Sequence, residues 1–240
     1  MITDFKLFLK NSAFGRALYG PIGYLYTKFY KDAQRRRAMK KYAYTNLKYI
    51  MEIAEKEDIK IMPIFGTLLG FIREGDFIKH DYDIDLGVLP SMQPNELAQI
   101  LVEKYGFQFI QGLAYHGQVT EFTVTLHGLS TDFFFLQNHD DVTRTTSYYW
   151  KSDGGYTDPR QNNVKYVERK QITELKPLYI KDIRVMVPMD VETELEAIYG
   201  KGWRIPDPHF TDKENRKVIH VKDFGYTVTY SDIINNRIPN

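Results

Sequence analysis

Three aspartates at alternate positions, Asp81, Asp83 and Asp85 in the run His-Asp-Tyr-Asp-Ile-Asp, are the densest concentration of chemistry in the chain. On a strand, residues i and i+2 point the same way, so three carboxylates would share one face and repel. Something must offset that cost. A calcium loop needs glycine at its sixth place and glutamate at its twelfth, and Leu86 and Met92 stand there instead. Acids on an exposed edge strand would leave Ile84, Leu86 and Val88 unexplained, because these demand a buried opposite face. The spacing points to Mg²⁺ or Mn²⁺, hard cations that take carboxylate oxygens and bridge to substrate phosphates. In this reading Asp83 and Asp85 ligate, and Asp81 either ligates or holds Asp83 from behind.

Gly66-Thr67 is the complementary part. A glycine at a strand end followed by a hydroxyl residue at a helix start lets backbone N–H groups hold a phosphate at the positive end of the helix. Arg73, at the end of that short helix, is placed either to neutralise phosphate or to pair with Glu74 at the surface. A third carboxylate is expected from elsewhere, and Asp132 is the candidate, since it opens the aromatic run Phe133-Phe134-Phe135 and an acid there needs a partner. His80 and His116 are open to acid–base or purely structural roles.

These residues must be positioned by interleaved helices and strands. Apolar Met39, Ala43, Leu47, Ile50 and Ala54 recur at spacings of three and four and predict a helix over 32–56. A strand over 59–65, a helix over 68–73 and a turn over 74–76 lead to an alternating strand over 81–88. A helix over 95–105, strands over 107–110, 121–126 and 131–136, a polar loop beginning after Asn138, strands over 164–169 and 183–187, and a helix over 191–199 follow. The class is α/β or α+β.

At this point the residues resemble a family. Gly66-Thr-Leu-Leu-Gly-Phe-Ile-Arg73, Phe77-Ile78, the alternating acids, Asp132-Phe-Phe, Val187-Pro188, Tyr199-Gly200, Trp203 and Pro206 are similar to the signature of the LicD and fukutin group of nucleotidyltransferase-fold enzymes. The resemblance spans about residues 41–206. It implies a mixed sheet flanked by helices. It also implies metal-dependent transfer of a phosphorylated alcohol, phosphocholine or ribitol phosphate, from a CDP-activated donor to a sugar hydroxyl of a cell-surface glycan, releasing CMP. The implied roles are Asp83, Asp85 and Asp132 in catalysis, Asp81 with those three around the metal, and Gly66, Thr67 and Arg73 on the phosphates. Where the family commonly has Pro-Trp, this chain has Lys79-His80, and Tyr82 replaces the second acid of its usual run. Two other readings are a nucleotide-sugar glycosyltransferase with an Asp-x-Asp metal site and a non-catalytic membrane-surface module on the same fold.

Composition sets the outer limits. The 240 residues suit one domain with an extension, and the absence of cysteine excludes a disulfide scaffold, a thiolate zinc site and a cysteine nucleophile. The net charge of +1 hides an asymmetry: residues 1–45 carry ten basic side chains against Asp4 and Asp32, so the remainder holds seven negative charges in excess. Residues 1–40 therefore form a basic, aromatic arm on a catalytic domain over 41–240. The arm suits an anionic membrane interface, with packing on the body as its alternative. Nucleic acid is not an expected partner; a CDP-alcohol donor and a glycan or lipid-linked oligosaccharide acceptor are. With no long apolar run and no signal-peptide pattern at the start, the expected location is cytoplasmic, peripheral on the inner membrane face.

Overall fold

The computed structural model describes residues 32–149, 155–207 and 218–240. The aromatic part of the expected arm, over 14–30, lies outside the described residues. Helix α1 (Asp32–Lys56) forms where its spacing predicts, with Met39, Ala43, Leu47, Ile50 and Ala54 all buried. It runs unbroken past residue 40, where the sequence places the junction between arm and domain. Among the described residues no helix is long and apolar enough to cross a membrane.

Eleven strands follow among the described residues: β1 (Ile61–Pro63), β2 (Asp83–Val88), β3 (Gln108–Tyr115), β4 (Gln118–Leu126), β5 (Leu129–Phe135), β6 (Gln137–His139), β7 (Val142–Tyr149), β8 (Gln161–Lys170), β9 (Leu175–Ile180), β10 (Ile183–Pro188) and β11 (Val218–Val228). Nine of them build one sheet in the order β1-β2-β5-β4-β3-β11-β8-β7-β6, and β9 and β10 form a separate hairpin. The β2–β5 pair is parallel and its neighbours are antiparallel, so the fold is the mixed α+β type expected. Helices α2 (Phe65–Arg73), α3 (Pro94–Gln99), α4 (Val191–Tyr199) and α5 (Tyr230–Ile234) complete the order. One turn of π-helix, Ile100–Lys104, extends α3 where the sequence predicts a single helix.

One face of the sheet carries the core. Ile84, Leu86, Val88, Phe122, Val124, Phe133 and Phe135 are buried together with Leu47 and Ile50 of α1. Burying each such side chain contributes roughly 1.5–3 kcal/mol, which anchors β2, β4 and β5 as a rigid plate.

The sheet also curls on itself. Only Leu136 separates β5 from β6, yet these strands stand third and last in the strand order. The Thr120 and Tyr148 hydroxyls join β4 to β7, and Gln137 Nε2 donates to Gln118 Oε1 at 2.8 Å across the same gap.

Three sequence readings need correction here. Strand β2 begins at Asp83, so Asp81 precedes it. Strand β1 ends at Pro63 and Phe65 takes a positive φ of 45° to start α2, which puts Gly66 and Thr67 in the first helical turn. The polar stretch after Asn138 is largely strand, because Thr143, Thr145 and Thr146 bury themselves on β7 and satisfy their hydroxyls locally. Thr143 Oγ1 donates to Asn138 Oδ1 at 2.9 Å, and Arg169 Nη1 donates to Thr145 Oγ1 at 2.7 Å.

That Arg169 sits 2.7 Å from Glu194 Oε2, with both side chains almost fully buried, and ties β8 to α4. Replacing Arg169 with Met strands the Glu194 carboxylate. Urea unfolding of Arg169→Met is expected to show a loss of about 3–5 kcal/mol, most of it recovered in Arg169→Met/Glu194→Leu.

Candidate active site

The site is built on the parallel pair. Its register sets Asp85 directly beside Asp132 and Asp83 beside Ser130. On the other side of β5, Thr123 stands opposite Asp132 and donates from Oγ1 to Asp132 Oδ1 at 2.5 Å. Three adjacent strands therefore place Asp85, Asp132 and Thr123 in one row, on the face opposite Ile84, Leu86 and Phe133. Asp83 lies two residues along the same face of β2.

Asp81 reaches this cluster from the loop before β2. A Cβ on Gly66 would lie 2.8 Å from Asp81 Oδ2 and 3.6 Å from Asp85 Oδ2. A glycine at 66 thus leaves room for two carboxylates against the first turn of α2. Gly70, one turn later on the same helix, would put a Cβ 2.6 Å from the Asp76 carbonyl and 2.8 Å from Ile78 N. The spacing of four therefore turns both glycines toward one loop, and this loop carries Asp81. Phe77 and Ile78 pin it in the core, with Phe77 packed edge-on to Phe71 at 4.8 Å.

Thr67 has a structural part in the site as well. Its side chain is buried, and its Oγ1 accepts the backbone N–H of Asp85 at 2.9 Å. The hydroxyl fastens β2 to α2 as an acceptor, which leaves its own O–H as a donor. Arg73 makes the pair with Glu74, at 2.7 Å, and donates to the Trp203 carbonyl at 3.4 Å. Its Nε remains buried without a partner, and so does Trp203 Nε1.

Burial, before any neighbour, raises every carboxyl of the cluster. Asp81 and Asp132 are pushed up to about 6. Asp83 is raised too, and Asp85 stands well above the usual carboxylate range because Asp83, Asp132, Asp81 and Glu121 add repulsion to its burial. The Thr123 hydrogen bond and Arg35, near the start of α1, draw Asp132 back down, and Arg35 also draws down Asp83.

Sequence reasoning missed Thr123, Glu121 and Arg35. Glu121 is buried two residues from Thr123 on β4, and its carboxyl is raised well above the ordinary range by burial, then by Asp132 and Asp83. Its signal was an acid alternating with threonines on a half-buried strand. Arg35 was counted with the basic arm, although it belongs to a helix that packs beside β2 and β5. His80 stays next to Asp81, and its charge works against the rise of Asp81. His116 instead occupies the β3–β4 turn at a φ of 49°, 3.5 Å from Asp223, in a structural position.

The donor set suits a hard divalent cation, since every ligand on offer is a carboxylate oxygen. Among the described residues no three acids or histidines are already grouped around one ion position. The family model described as LicD/FKTN/FKRP, nucleotidyltransferase domain, matches residues 58–190, more than half of the chain. The chain belongs to this family. The match runs from just before β1 through β10 and contains all four aspartates of the cluster. LicD/FKTN/FKRP proteins are generally transferases, and membership suggests a phosphotransferase-like or glycan-modifying function. No curated protein matches the chain.

The raised acids carry a pH signature. An acid whose folded pKa exceeds its unfolded value binds its proton more readily when folded, so stability is lost as pH rises through the folded pKa. For Asp132 the window runs from the unfolded value of about 4 to about 6. Thermal melts of Asp132→Asn against the wild type should show the variant gaining in Tm, relative to wild type, across this window. A constant difference from pH 4 to 7, as rough limits, would contradict the assignment.

Proposed function

We propose that this LicD-family protein transfers a phosphorylated alcohol, phosphocholine or a polyol phosphate, from a CDP-activated donor to a sugar hydroxyl. The observation that carries the reading is the side-by-side placement of Asp85 and Asp132 across two parallel strands, with Asp83 on the same face and Asp81 against Gly66. Asp83, Asp85 and Asp132 would hold Mg²⁺ or Mn²⁺, with Asp81 beside them, and the ion would supply charge neutralisation on the donor pyrophosphate.

The chain's own groups account for the rest. The acceptor oxygen attacks the phosphorus that bears the alcohol, the bond from that phosphorus to the CMP phosphate oxygen breaks, and CMP leaves with the electron pair. Asp132 takes the hydroxyl proton. Thr123 fixes its orientation by donating to Oδ1, which leaves Oδ2 for the proton. Arg73, with one guanidinium N–H unpartnered, and Arg35 at the rim supply positive charge for the donor phosphates. The N–H groups of the first turn of α2, opened by Gly66, add partial positive charge.

Purified protein incubated with CDP-choline, CDP-ribitol and related CDP-alcohols, together with Mg²⁺ and soluble sugars, is expected to release CMP with one of the donors. EDTA should stop the release. Asp83→Asn and Asp85→Asn should each lower turnover by roughly 10²–10³-fold while melting no lower than the wild type. CMP release that survives either substitution, or persists in EDTA, would rule the reading out.

A further inference from the structure

The acid cluster occupies only part of its sheet face. Two residues beyond the row of Asp85, Asp132, Thr123 and Gln111 runs a second row: Gly87, Phe134, Glu121, Leu113 and Thr227. Side chains repeat every second residue on a strand, so both rows share one face. Because the sheet curls, β7 and β8 come over this second row. A cavity of about 400 Å³ lies between them, lined by Gln111, Glu121, Phe134, Ser147, Tyr148 and Asn162 among others. That volume is within the roughly 300–1,000 Å³ of small-molecule sites.

The lining has a consistent chemistry. It includes no lysine, arginine or histidine, so a phosphate or carboxylate would find no counter-charge there. It does hold a nine-tenths-buried carboxyl, Glu121, with which no cation pairs among the described residues. Gln111, Ser147, Asn162 and Thr227 add neutral hydrogen-bonding groups. The Tyr148 ring is a built wall: its hydroxyl is tied to Thr120, and a Cβ on Gly225 would lie 2.3 Å from its ring. The carboxyl and the rings alone would also suit a cation, but Gln111, Ser147, Asn162 and Thr227 supply the amide and hydroxyl groups that a polyhydroxy ring uses and a lone cation does not.

We infer that this cavity receives the sugar ring of the acceptor, with Glu121 and Gln111 bonding its hydroxyls and Tyr148 and Phe134 packing against its apolar face. A hydroxyl of that ring then points along the sheet toward Asp132, one row away. The inference rests on the transferase reading and adds to it the place where the acceptor ring sits and the residues that hold it.

Saturation-transfer NMR tests it with methyl β-galactopyranoside, methyl β-glucopyranoside and, as a counter-probe, choline chloride. The wild type is expected to saturate the ring protons of a glycoside. Glu121→Gln, which keeps the shape, and Ser147→Phe, which fills the cavity from β7, should each weaken glycoside binding at least tenfold while retaining a cooperative thermal melt. Saturation of choline alone, or glycoside signals unchanged in both variants, would overturn the assignment. CMP release from CDP-alcohols is measured on the same wild-type sample. A protein that releases CMP but saturates no glycoside removes this inference and leaves the transferase reading standing; one that releases none removes both.

Discussion

Everything at this site answers to one electrostatic conflict: several carboxylates are held on one face of neighbouring strands, partly withdrawn from water. Two unit charges about 4 Å apart cost roughly 4 kcal/mol at an effective dielectric of 20, before the desolvation that raises Asp85 furthest. A flexible loop would relax that repulsion by moving apart. The parallel pair cannot, because Ile84, Leu86, Phe133 and their neighbours lock β2 and β5 from the other face. The acids remain together as a high-energy arrangement suited to a positively charged ligand.

The supporting residues then have definite parts. Thr67 holds the backbone of Asp85, Thr123 holds the side chain of Asp132, and the two glycines of α2 admit the Asp81 loop. The curl of the sheet extends the same face past the acids to Glu121 and the cavity beyond it. In the proposed reading, donor chemistry and acceptor recognition fall on adjacent rows of one surface, a few strands wide.

Much of this was legible in the sequence, for physical reasons that also explain the rest. Alternation of acids with Ile84, Leu86 and Val88 is a strand signal, and α4 was bounded correctly because Asp190 caps it, accepting the Thr193 N–H at 3.1 Å, and Gly200 ends it. Asp81 continued the alternation but fell outside the strand, since pattern alone does not reveal where pairing with β5 stops. Strand β7 was hidden because Thr143, Thr145 and Thr146 fill its core positions in place of apolar residues, whereas β8, which buries Val164 and Val167, was legible over 164–169. The partners Thr123 and Glu121 depend on register between strands, which spacing along a single chain does not contain.

Electron paramagnetic resonance of Mn²⁺ titrated into the protein, without donor or acceptor, reads whether the acid cluster is a cation site. One saturable class of bound Mn²⁺ is expected in the wild type, lost in both Asp85→Asn and Asp132→Asn. Absence of bound Mn²⁺ in the wild type, or binding undiminished from the wild-type level in either variant, would contradict it.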